Sequence, residues 1–117
     1  MLVHIPKAVE LILGDIVSRI KETVNITRIM LYGSYANGTY NPQSDLDIAV
    51  FIEDGTISTI DAYRYVKKIC TMYDADIQPQ IFYESEYKNP MGIVEEVVQY
   101  GIEITNFNIL SRTLSRK

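Results

Sequence analysis

The sequence predicts an α/β (α+β) domain: a small mixed β-sheet with helices packed against it. Two patterns carry this expectation. Three short apolar runs, Thr27 to Tyr32, Leu46 to Ile52 and Asp76 to Phe82, have the length and boundaries of strands, and longer segments whose apolar residues recur every three or four positions alternate with them. The length, 117 residues, allows one ordinary domain, 1–117, and not two. Hydrophobic residues at 47% and charged residues at 22% give that domain a core and argue against disorder.

The first helix is expected from Pro6 to Thr23. Pro6 suits a first turn, and Val9, Ile12, Leu13, Ile16, Val17, Ile20 and Val24 form one stripe that packs on a sheet face. His4, just before it, has no nucleophile or paired acid nearby and reads as a surface or capping residue. The first strand ends at Gly33-Ser34, where Tyr35 and Ala36 start a short helix that Asn37-Gly38 closes. After Asn41-Pro42, a second strand runs from Leu46 to Ile52.

A third helix is expected from Thr59 to Tyr73, capped by Ser58, with Ile60, Tyr63, Val66, Ile69, Cys70 and Tyr73 inward. Pro79 removes one ladder donor from the third strand, which places that strand at an edge or on a bulge. A last helix is expected from Pro90 to Tyr100, with Asn89 as cap, Ile93, Val94, Val97 and Val98 inward, Glu95 and Glu96 exposed, and Gly101 as terminator. Ile102 to Thr105 suggests a short fourth strand, and the polar, basic run beyond Phe107 reads as a mobile tail, about 107–117.

The chemistry concentrates between Ile29 and Ile52. Asp45 and Asp47 stand two apart at the head of a strand, so both carboxylates face one way while Leu46 and Ile48 face the core. At about 5 Å and an effective dielectric near 20, two such charges repel by about 3 kcal/mol, which protonation, solvation or a divalent cation relieves. Hard carboxylate oxygens suit Mg2+, which takes one or two protein carboxylates and completes its shell with water and substrate phosphate. Gly33-Ser34 would hold the phosphates: the glycine lets backbone approach a ligand, and the turn N–H groups with the Ser34 hydroxyl are donors. Either signal alone is weak, since Gly-Ser pairs are common turn residues and a lone Asp-x-Asp is more often a solvated strand end. Their order and separation make the joint reading specific.

Gly33-Ser34-Tyr35-Ala36-Asn37-Gly38 followed by Ser44-Asp45-Leu46-Asp47 resembles the signature of the minimal nucleotidyltransferases, a branch of the polymerase-beta-like superfamily. The resemblance covers Ile26 to Ile104. It implies the palm fold of that superfamily and transfer of a nucleoside monophosphate, AMP from ATP or another nucleoside triphosphate, to a hydroxyl with loss of pyrophosphate. Asp45 and Asp47 would hold one or two Mg2+, and Gly33 and Ser34 would bind the departing phosphates. A third acid is expected on the third strand as metal ligand and base. Asp76 is favoured for it, and Gln78, on the same face and directly before Pro79, is the alternative; Asp74 and Glu84 are weaker candidates at the strand's ends. Many relatives carry arginines at the positions of Tyr35 and Asn37, so here more of the charge neutralisation falls to the metal. Tyr35 and Tyr40 read first as packing residues and second as platforms for a base or a partner.

Larger relatives hold their acceptors with a further helical domain for which this chain has no room. The resemblance implies a partner instead: a HEPN-family ribonuclease toxin, neutralised when the nucleotidyltransferase, as antitoxin, transfers AMP to one of its tyrosines. A contact-only binding module of the same fold is the second expectation, and an enzyme acting alone on a small hydroxyl compound the third. The formal charge of −4, from 15 acids and 11 bases, advertises no broad electrostatic grip on nucleic acid. The single cysteine, Cys70, reads as a core residue and fits a reducing, cytoplasmic setting; no signal sequence or membrane-spanning apolar run is seen, and self-association into a homo-oligomer is compatible with these features.

Overall fold

The computed structural model describes residues 5–107. His4 and the segment after Phe107, to which a capping role and a mobile tail were assigned above, lie outside them. The element order is α1 (Lys7–Thr23), β1 (Ile26–Tyr32), α2 (Ser34–Asn37), β2 (Leu46–Ile52), α3 (Thr59–Cys70), β3 (Ile77–Tyr83), α4 (Glu84–Lys88), α5 (Ile93–Tyr100) and β4 (Ile102–Glu103). The four strands form one sheet in the order β3-β2-β1-β4. β1 pairs antiparallel with β2 and with β4, and β2 pairs parallel with β3, so the sheet is mixed as expected.

β2 is the axis of this arrangement. Leu46, Ile48, Val50 and Ile52 point into the larger core, where they meet Leu13, Ile16, Val17 and Ile20 of α1 and Ala62, Val66 and Ile69 of α3. Ala49 and Phe51 point the other way, into a smaller core with Met30, Phe82 and Val94 and Val97 of α5. A strand covered on both faces reads as a continuous apolar run, which is how Ile48 to Ile52 reads. Asp47 lies on the smaller-core side, at the end where that core opens. β3 is an edge strand, the place that tolerates Pro79.

Five expectations about the helices are corrected. α3 ends at Cys70, not Tyr73, and Tyr73, beyond the helix end, hydrogen-bonds the Asp15 carboxylate. Its buried stripe is Ala62, Val66, Ile69 and Cys70, while Ile60 and Tyr63 are exposed: they lie to one side of the contact line and flank a groove against Pro79 and Ile81 of β3. The last helix starts at Ile93, not Pro90, because residues 84–88 form a helix of their own. The Glu86 carboxylate accepts the Tyr83 N–H at 2.9 Å at its start, and Asn89, expected to cap α5, closes α4 instead by donating its N–H to Ser85 O at 3.1 Å. Arg28 fixes α4 to the sheet through Glu84 at 2.9 Å and by stacking over the Tyr87 ring at 3.7 Å. In α5, Val94 and Val97 are buried as expected, but Ile93 is exposed.

Other expectations hold. Ser58 Oγ accepts the Asp61 N–H at 3.1 Å, capping α3. Cys70 is buried, and its thiol is pushed up to about 11 by that burial. No helix among the described residues is long and apolar enough to cross a membrane.

Phe51 is fully buried and touches Phe82 and Tyr87, so it ties α4 and the α5 side to β2. Phe51→Ala is expected to cost about 3–5 kcal/mol, measured as a lowered urea midpoint with an unchanged slope.

Candidate active site

The site begins where β1 runs out. Gly33 follows Tyr32 with φ 76 and ψ −153, a conformation that costs other residues dearly. A second constraint acts at the same place: a Cβ on Gly33 would lie 2.4 Å from Asp47 Oδ2, far inside van der Waals contact. Backbone is thereby brought against a carboxylate on the neighbouring strand. Gly33 O then accepts the N–H groups of Ala36 and Asn37, so Ser34 and Tyr35 supply the first N–H groups of α2, which have no intrahelical partner. Gly38, left-handed at φ 82, ends the turn, and Thr39 N–H returns to Ser34 O at 3.0 Å.

Tyr35 and Tyr40 stack on each other, ring centroids 4.4 Å apart and 8° from parallel, with Tyr35 buried. They are packing residues, which was the first reading of them. Their stack holds the α2 turn to the loop beyond. That loop closes through Asn41, whose N–H donates to Ser44 Oγ at 2.9 Å and whose Oδ1 accepts the Gln43 N–H at 2.7 Å. Asp45 follows directly.

Asp47 pairs with Tyr32 of β1 on one side and with Gln78 of β3 on the other. One step toward the strand ends, Leu46 N–H donates to Asp76 O at 2.8 Å, so the ladder continues past β3 and brings Asp76 to the level of Asp45. Asp76 and Gln78, the alternatives for the third position, therefore stand side by side. Gln78 Nε2 donates to Asp76 Oδ1 at 2.6 Å. Gln78 is the direct neighbour of Asp47 in register, and Asp76 is one step further out.

Electrostatics follow from this placement. The Asp47 carboxyl is held above the usual carboxylate range, first by partial burial and then by the charges of Asp45, Asp76 and Glu96. The charges of Asp45 and Asp76 thus both reach Asp47. Yet among the described residues no three His, Cys, Asp or Glu side chains stand close enough to enclose an ion by themselves. The donor set fits Mg2+ in a narrower sense: two hard carboxylates, one of them half-buried and with no ion-pair partner among the described residues, suit a cation that keeps waters and takes substrate oxygens for the rest of its shell.

Beside these acids lies a cleft of about 540 Å³, floored by Tyr32 and Gly33 and walled by Ala36 and Asn37 on one side and by Glu95, Glu96, Gln99 and Tyr100 of α5 on the other. Asp45, Asp47 and Ser34 do not line it; the Asp47 carboxylate packs against Gly33, which does. The α5 wall was read in the sequence only as an exposed face. Gly92, Glu95, Glu96, Gln99 and Tyr100 do recur at helical spacing, but nothing local says which sheet face α5 covers.

Residues 15–109 match the family described as Polymerase beta, Nucleotidyltransferase. The chain belongs to this nucleotidyltransferase family. It is 31% identical over 94 residues to a Methanocaldococcus jannaschii protein whose name places it provisionally among the protein adenylyltransferases, a match spanning 77% of this chain and 88% of the other. Over 49 residues it is 39% identical to the protein adenylyltransferase MntA of Shewanella oneidensis, spanning 42% of this chain and 34% of that one. A crystal structure of a toxin-antitoxin with AMP-PNP has the same fold, with a TM-score of 0.59 at 22% identity over 91% of this chain and 88% of that one.

Two outcomes follow from the geometry. Gly33→Ala meets both the positive φ and the Asp47 carboxylate, and is expected to cost about 1–3 kcal/mol for the backbone alone. The penalty should shrink in an Asp47→Ala background, where the clash is gone, as a double-mutant cycle in urea would show. Because the folded-state pKa of Asp47 is raised, its ionisation opposes folding: its contribution is most favourable at low pH and is lost as pH rises from the unfolded carboxyl value through the folded one. In EDTA, Asp47→Asn should therefore raise Tm at pH 7 relative to the parent and narrow that difference toward pH 4.

Proposed function

We propose that the protein is a Mg2+-dependent adenylyltransferase that moves AMP from ATP to a hydroxyl of a partner protein, a tyrosine of a HEPN-family toxin, and so acts as its antitoxin. The observation that carries this reading is the Asp47 carboxylate packed against Gly33 of the Gly33-Ser34 turn, where backbone and carboxylate meet with no room for a side chain between them, with Asp45 two residues before it in the chain. The names of the relatives support the adenylyl group and a protein acceptor, and the fold shared with a toxin-antitoxin supports the toxin partner.

Asp45 and Asp47 would hold the cation. When bound, it supplies charge neutralisation at the reacting phosphate. Ser34, through its hydroxyl and N–H, would hold the β- and γ-phosphates as they leave. Asp76 would orient the acceptor hydroxyl and take its proton, while the acceptor oxygen forms a bond to the α-phosphorus and the bond from that phosphorus to pyrophosphate breaks. Gln78 would keep the Asp76 carboxylate aimed through the bond at 2.6 Å. Positioning and charge carry such a transfer without a covalent protein nucleophile.

A second reading, a binding module that inhibits its partner by contact alone, is favoured by one observation: Gln78, an amide, is the residue directly beside Asp47. The readings part on nucleotide binding. A ligand at a hundredfold its Kd stabilises the native state by about 2.7 kcal/mol, so an active enzyme should show a clear Tm increase with millimolar ATP and Mg2+, and a contact-only binder none. With a coexpressed HEPN protein and labelled ATP, the parent is expected to label the partner, and Asp45→Asn, Asp47→Asn and Asp76→Asn are each expected to lose at least a hundredfold in rate, on the scale of removed charge-stabilising groups. Labelling that survives Asp45→Asn and Asp47→Asn together would remove the site from the mechanism.

A further inference from the structure

The reaction proposed above needs a second seat beside the nucleotide's, and the cleft between α2 and α5 has the chemistry for one. Its floor is Tyr32 and Gly33, and Gly33 is the residue packed against the Asp47 carboxylate, so whatever lies in the cleft lies next to the reacting centre. Its α5 wall is one helical stripe. Gly92, Glu95, Glu96, Gln99 and Tyr100 face the cleft, while Val94 and Val97, on the opposite side of the same helix, are buried against the sheet. The lining contains two carboxylates and no lysine or arginine. Among the described residues neither Glu95 nor Glu96 has a salt-bridge partner, although Arg28 of the same sheet is matched by Glu84.

Such a lining is the wrong one for a polyanion. A triphosphate tail placed along α5 would meet two carboxylates that have no salt-bridge partner among the described residues, in addition to those of Asp45 and Asp47. The tail is therefore directed to the α2 side, at Ser34 and Asn37, and the α5 side of the cleft is left to the other reactant. An acceptor that carries positive charge beside its reacting hydroxyl gains from both glutamates, and the Tyr100 ring, 62% exposed at the cleft's rim, offers a flat face to a cation or an aromatic ring.

We infer that the α2–α5 cleft is the acceptor seat, and that Glu95 and Glu96 select a basic peptide segment that presents its tyrosine to Asp45 and Asp47. This deepens the adenylyltransferase reading and rests on it. Glu95 and Glu96 are specificity residues in this scheme and take no part in bond making. Glu96 also contributes to the raised pKa of Asp47, which agrees with its facing the same space.

The test uses two synthetic peptides, a tyrosine flanked by lysines and the same tyrosine flanked by glutamates. AMP transfer from labelled ATP with Mg2+ is measured on the full chain as kcat/KM, alongside the Tm increase given by ATP and Mg2+ alone. The parent should prefer the basic peptide, and E95Q/E96Q should reduce that preference roughly tenfold, about what two exposed ion pairs supply. E95K/E96K should invert it, and added salt should weaken the parent's preference. The nucleotide-induced Tm increase should persist in E95Q/E96Q, which also establishes that the variant folds. A preference unchanged in both variants overturns the inference. So does loss of the nucleotide-induced increase in E95Q/E96Q, because the cleft would then seat the nucleotide. A parent that shows no such increase, yet binds the basic peptide tightly by fluorescence anisotropy and releases it on E95K/E96K, retains the charge recognition while overturning the adenylyltransferase reading.

Discussion

The constraint on which the structure depends is that β2 must be buried on both faces and still begin with acids. From Ile48 to Ile52 the strand is almost wholly shielded from water, held by α1 and α3 on one side and by the α4–α5 layer on the other. Asp47 takes part in that same ladder, paired on both sides, and is half-buried as a result. A carboxylate so placed cannot move away from Asp45 or from Gly33 without breaking strand pairs. The energy that burial of β2 contributes to folding is what holds an unfavourable charge arrangement in place, and the raised pKa of Asp47 expresses that conflict.

The turn at Gly33 makes the conflict useful. If β1 continued into an ordinary loop, side chains would stand between the acids and an incoming phosphate. The positive φ instead turns the chain so that the first N–H groups of α2 and the Asp47 carboxylate lie on either side of one residue that has no side chain. Backbone N–H donors and carboxylate oxygens are then close together although the donors belong to α2 and the carboxylate to β2. On the proposed reading, a metal-bound triphosphate, carrying both signs of charge, would satisfy both.

Legibility in the sequence followed the range of the forces involved. β2 was readable to its boundaries because five successive apolar residues after a polar head admit few alternatives, and the chain reversal at Gly33-Ser34 was readable because turn chemistry is local. Ser58 as a cap was equally local. The exposure of Ile60 and Tyr63 was not readable: helical spacing places them near the apolar stripe, and only the position of β3 decides that the contact line runs through Ala62 instead. The start of α5 was misread because Asn89-Pro90 looks like a helix opening, and the competing use of Asn89 to close α4 depends on Arg28, far away in sequence, anchoring Glu84. Which of Asp76 and Gln78 adjoins Asp47 is a matter of register between parallel strands, which no local pattern specifies.

The two cores differ in what they ask of the site. The larger one fixes the sheet against α1 and α3 and reaches the cleft through Ala36. The smaller one sets the cleft's width, because α5 is held over the sheet chiefly by Val94 and Val97. Gly101 completes that placement: a Cβ there would come within 2.4 Å of Val97 O and 3.2 Å of Leu31 O, so the absence of a side chain is what lets the end of α5 close onto β1 before the chain pairs as β4. The distance between the α5 carboxylates and the Asp47 carboxylate is therefore fixed by backbone packing at the far end of the helix. Any account of acceptor selection by Glu95 and Glu96 consequently has to include Gly101, which touches neither reactant and yet holds the wall on which those charges stand.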